Sequence, residues 1–208
     1  LFLLAACNEE HAPKTTLPQL NNGMSGGKLS FPHVMDNNRV ALASQFSTSY
    51  DTAKWRVTDS KTINLRLTAS QIPAGATVLV EHVHIDVSLK STLALLDGWK
   101  QDTADFKLST GADPGVQVSQ AYPYVNMMAI EGFSQTLIDS WSYYTDSYAI
   151  TDVEQKRLTE DNLVKEGGVY ANEIQVVWFL LIKYADEKYY HAGVATDEFV
   201  IPVANAHS

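Results

Sequence analysis

Residues 77–89 read TVLVEHVHIDVSL. Leu79, Val83, Ile85, Val87 and Leu89 share one parity. Successive strand side chains point to opposite faces, so a period of two marks a half-buried strand. Val78 and Val80 lie on the other parity, which then turns polar at His82, His84, Asp86 and Ser88. A change of apolar face within one strand predicts a β-bulge near Glu81. Residues 173–184, EIQVVWFLLIKY, are apolar on both parities: Ile174, Val176, Trp178, Leu180 and Ile182 on one, Val177, Phe179 and Leu181 on the other. Such a strand belongs in the middle of a sheet with cover on both sides.

The segments around these two carry the same period. Lys61–Thr68 alternates Ile63, Leu65 and Leu67 with polar residues, and the turn residues Pro73 and Gly75 follow. Asp105–Ser109 and Tyr122–Ile130 are further strand candidates, and Asp197–Val203 reads as a closing strand placed at an edge by Pro202. Phe133, Leu137, Ile138 and Trp141 fall at helical spacing, and that helix could cover Val177, Phe179 and Leu181. Residues 151–164 begin with Thr151 and have Glu154 three positions on, the capping-box pattern of a second, exposed helix. Nothing repeats at a fixed period, and strands do not alternate with helices as a parallel sheet requires. The expected fold is mainly β, a two-layer antiparallel β-sandwich of the immunoglobulin-like class with one or two short helices, over residues 28–208.

The chain has 208 residues, enough for one sizeable core, a formal net charge of −9 and a pI of about 5.0. A negative surface repels phosphate backbones and anionic headgroups, so nucleic acid is not an expected partner, and any membrane attachment is covalent or apolar. The longest apolar run, Val176–Ile182, is too short to span a bilayer.

The first residues, LFLLAAC, place an apolar run and two small residues before Cys7, the one cysteine of the chain. Leu4-Ala5-Ala6-Cys7 resembles the lipobox of bacterial lipoproteins. The resemblance covers four residues. It implies that residues 1–6 end a signal peptide, that Cys7 carries a covalent lipid, and that the protein is membrane-anchored in the cell envelope, outside the cytoplasm. Residues 8–27 are polar, with two prolines and three glycines, and read as a flexible tether. About twenty residues average roughly 25 Å from end to end as a coil.

Chemistry is sparse. Gly23-Met24-Ser25-Gly26-Gly27 fits G-x-S-x-G but lacks the strand before and helix after that expose such a serine, so it reads as linker. Asp51-Thr52-Ala53 and Asp102-Thr103-Ala104 lack the glycine of an aspartic-protease D-T-G loop and read as surface turns. His82, His84 and Asp86, spaced by two, project from one strand face and are apt zinc or iron ligands. A third or fourth ligand must come from elsewhere, with His191 or Glu198 as guesses, so solvated histidines and no metal cofactor are the first expectation. Trp99 reads as a loop residue, and Tyr143, Tyr144 and Tyr148 among small polar residues suggest a contact patch. The favoured expectation is a non-catalytic module that binds a protein or carbohydrate or assembles a surface structure. The alternatives are a metal-binding protein or metal-dependent enzyme, and a fimbrial or adhesin-type subunit.

Overall fold

The computed structural model describes residues 20, 23, 24, 26–204 and 206. Cys7, His11 and most of the expected tether lie outside them. Two antiparallel sheets face each other. One contains β1 (Lys28–Met35), β2 (Val40–Ser47), β3 (Lys61–Gln71) and β7 (Tyr124–Ile130), in the order β1-β2-β3-β7. The other contains β5 (Lys100–Lys107), β4 (Thr77–Ser91), β8 (Val169–Lys183) and β9 (His191–Pro202), in the order β5-β4-β8-β9; the two-residue β6 (Val116–Gln117) also pairs with β4. The mainly β sandwich read from the sequence is the observed fold.

The predicted bulge is present. The β4–β8 register shifts between Val80 and His82, leaving Glu81 as the extra residue. Val78 and Val80 point into the core before it, and Val83, Ile85, Val87 and Leu89 after it; all six are at most 1% exposed. One inserted residue therefore keeps the valines inside and turns His82, His84 and Asp86 outward. β8 lies between β4 and β9, and Trp178 is fully buried. β9 is an edge, as Pro202 predicts.

Strands β1 and β2 were not predicted. Met24 is 2% exposed, and its N–H donates to the Val200 carbonyl at 2.9 Å, so core packing reaches back before the expected boundary at residue 28. Asp36, Asn37 and Asn38 form the β1–β2 turn with φ of 52°, 53° and 70°, a region that Asn and Asp tolerate better than most residues.

The helical expectations need two corrections. α1 (Gln135–Ser147), capped by Ser134, buries Leu137, Trp141 and Tyr144, but it packs beside β5 and not over Val177, Phe179 and Leu181. The predicted 151–164 helix is two pieces, α2 (Val153–Lys156) and α3 (Glu160–Lys165), capped by Asp152 and Thr159. Each cap side chain accepts a hydrogen bond from the N–H three residues on. Arg157, between them, has an extended backbone.

Candidate functional site

The outward row of β4 meets β5 across the sheet. The register sets His84 opposite Asp105 and Asp86 opposite Thr103. Asp105 Oδ1 accepts from His82 Nε2 at 2.7 Å and from His84 Nδ1 at 2.8 Å. The other nitrogen of His84, Nε2, lies 3.2 Å from Asp86 Oδ2, and Lys100 Nζ lies 2.9 Å from Asp86 Oδ1. The His82 ring stacks on Phe179 of β8, with centroids 4.9 Å apart and planes 11° from parallel. Phe179, expected beneath a helix, is covered by an imidazole instead.

Charge alternates along this row, and three of its groups are shifted by their neighbours. The bond to Asp105 holds the His84 pKa above its ordinary value, with Asp86 adding to it against a smaller effect of burial. Asp105 is pulled below the usual carboxylate range, first by His84 and then by His82. Burial pushes Asp86 up, but Lys100, His84 and Thr103 together outweigh it and leave its pKa lowered.

One ring nitrogen of His82, one of His84 and an Asp105 oxygen lie within 4.8 Å of one another. The sequence grouped His82, His84 and Asp86. The structure brings the histidines together with Asp105, while Asp86 orients His84 from behind. His191 and Glu198 do not supply the third member. His191 is held by Asp36 Oδ2 at 2.6 Å, and Glu198 sits opposite Gln175. Asp105 lay inside a predicted strand, but no local pattern states which residue of another strand it opposes.

The aromatic patch divides. Trp99 follows a turn, as expected, but packs against the core edge-on to Tyr144, at 6.4 Å and 79°. Tyr144 is buried between Trp141 and Tyr148. Only Tyr143 and Tyr148 of the four face solvent, so Trp99 and Tyr144 are packing residues. Asp102-Thr103-Ala104, expected as a turn, lies within β5. Asp51 caps a 3-10 turn at Thr52–Lys54.

Between the sheets, His33 Nε2 is 3.1 Å from Ser44 Oγ and 3.0 Å from Asp197 Oδ1. Nucleophilic relay needs the carboxylate on one imidazole nitrogen and the hydroxyl on the other. Here both meet Nε2, and Ser44 and Asp197 are at most 1% exposed, so the trio pins β1 to β9. A depression of about 670 Å³ crosses the outer face of the other sheet, lined by Ser30, Gln45, Asn64, Arg66 and Val125.

No protein-family model and no curated protein matches the chain. Among solved structures, a protein from Archaeoglobus fulgidus aligns over 83% of this chain and 93% of its own, at 10% identity and a TM-score of 0.26. Likeness at that level carries no argument.

Proposed function

We propose that this chain is a lipid-anchored protein of the bacterial cell envelope, held through Cys7, whose sandwich is a non-catalytic binding module. The binding half rests on one observation: Asp105 Oδ1 gathers two imidazoles on the outer face of β4 and β5, where all three side chains reach solvent. The shared nitrogen of the His33, Ser44 and Asp197 trio supports a structural reading of the buried groups. The anchoring half rests on the lipobox-like Leu4-Ala5-Ala6-Cys7. No helix among the described residues is long and apolar enough to cross a membrane. Several acyl chains on Cys7 give stable attachment, because each buried methylene adds roughly 0.8 kcal/mol.

The test is detergent-phase partition and intact mass of the native protein and of Cys7→Ala, expressed from the same gene in a bacterial host. Native protein is expected in the detergent phase with the mass of a lipidated, cleaved chain. Cys7→Ala is expected in the aqueous phase or as an unprocessed precursor. Unchanged partition and mass refute the anchor.

A further inference from the structure

The geometry points to a surface site for a divalent transition-metal ion of the zinc class, with His82 Nε2, His84 Nδ1 and a carboxylate oxygen of Asp105 as its three protein ligands. The inference names the ligand of the outer-face site proposed above; it does not depend on the lipid anchor.

Three observations carry it. The ligand atoms already converge, with both nitrogens 2.7–2.8 Å from one oxygen. Zinc–nitrogen and zinc–oxygen bonds of about 2.0–2.2 Å set tetrahedral ligand atoms roughly 3.3 Å apart. Opening the two contacts to Asp105 by about 0.6 Å sets its oxygen at that spacing from each nitrogen. Asp105 can supply that movement, because its side chain is 52% exposed.

Both rings are also held in place. His82 lies flat on Phe179. His84 presents Nδ1 to the site because Nε2 faces Asp86, which is fixed in turn by Lys100. A carboxylate behind a ligating imidazole sets its tautomer and raises its basicity. The lysine offsets the Asp86 charge, so Asp86 orients His84 without drawing the ion to itself.

The donor set then selects the ion. Two imidazoles and one carboxylate suit zinc or ferrous iron, whereas magnesium and calcium require mostly oxygen ligands. Three protein ligands on an exposed face leave at least one coordination position toward solvent, which an exogenous carboxylate, imidazole or water can fill. The net charge of −9 favours a cation over the whole surface.

The test is calorimetric titration of the full chain with zinc chloride in millimolar magnesium, repeated with cobalt(II) while the visible absorption of four- or five-coordinate cobalt is read. One equivalent of zinc is expected to bind, and cobalt to show nitrogen–oxygen coordination. His82→Ala, His84→Ala and Asp105→Ala should each weaken binding at least tenfold. Asp86→Asn should keep the stoichiometry and weaken affinity by about 10–100-fold. His191→Ala, at a half-buried histidine elsewhere that pairs with Asp36, should leave zinc binding unchanged. All these side chains are at least partly exposed, and metal-free melting curves verify that each variant folds. Saturating zinc should raise the melting temperature of the native chain and not of His82→Ala/His84→Ala. Absence of saturable zinc binding below about 100 µM, binding that survives the double substitution, or displacement by magnesium overturns the proposal. Membrane partition is read separately, so failure of the anchor and failure of the metal site are distinct results.

Discussion

Trp178 does two jobs with one ring. Its body fills the core beside Phe46 and Tyr124, at centroid distances of 6.4 and 6.1 Å. Its Nε1–H donates to Asp197 Oδ2 at 2.7 Å. The apolar period announced the first role and was silent on the second, since Asp197 belongs to another strand. Trp178→Ala removes a large buried volume, at about 3–5 kcal/mol. It also strands a buried carboxylate oxygen, adding about 1–3 kcal/mol. Trp178→Phe keeps most of the volume and loses only the bond. Its expected loss in denaturant melts is about 1–3 kcal/mol. Equal stability of Trp178→Phe and the native chain would mean that Asp197 is satisfied without the indole.

The strands that were legible are those with a clean period of two. Residues 61–68 and 77–89 carry it, residues 173–184 are legible instead as a run apolar on both parities, and the bulge at Glu81 was readable because the apolar parity visibly changes there. β2 was not legible. Its inward row is Val40, Leu42, Ser44 and Phe46, and its outward row begins with Ala41 and Ala43, so a serine inside and alanines outside blur the contrast. β1 hides similarly, with His33 on its inward row to meet Ser44 and Asp197. The candidate site was half legible. Same-strand spacing gave His82 and His84, but Asp105 depends on the β4–β5 register, which is set by tertiary packing.

Between the helices and the sheets, Glu160 was also unforeseen. It opens α3 and is 6% exposed. One carboxylate oxygen accepts from the Val57 N–H at 2.9 Å. The other accepts from the Thr58 N–H at 2.9 Å and the Thr58 hydroxyl at 2.8 Å. A two-oxygen acceptor is what this loop demands. Glu160→Gln turns one acceptor into a donor that must face an N–H group. The expected destabilisation is about 2–4 kcal/mol, by chemical denaturation. Less than about 0.5 kcal/mol would mean that the loop 57–58 finds other acceptors.

The two sheets are joined by polar pins as well as by their apolar core. His33 meets Asp197. Tyr184 and His191 both bind Asp36, while Arg39 lies 3.3 Å from the centre of the Tyr184 ring. Trp55 donates to Asn172, and Asn172 to Gln101, deep between the layers. Lys61 ties the 56–59 loop to the start of β3, and its charge reports on global stability. It is 6% exposed, lies 4.6 Å from the Trp55 ring, and donates to the carbonyls of Arg56 and Asp59. Burial pulls its pKa from 10.5 down to about 8, although Glu160 and Asp59 pull the other way. A lowered folded pKa means that between about pH 8 and 10.5 the unfolded chain holds more protons than the folded one. Stability from this group therefore rises with pH across that window; below it the ammonium is buried at full cost, and above it both states are neutral. At 1.36 kcal/mol per unit, the rise is about 3 kcal/mol. Tyr50 and Tyr184, pushed up to about 12, act in the opposite sense only above pH 10. The measurement is denaturant melts at pH 7, 8, 9 and 10 on the native chain and Lys61→Met. The native chain should gain stability relative to the variant at each step above pH 8. That difference cancels the repulsion that growing negative charge brings to both proteins. A difference that stays flat from pH 7 to 10 would place the Lys61 pKa near its ordinary value and make its carbonyl bonds, rather than its burial, the dominant influence on it.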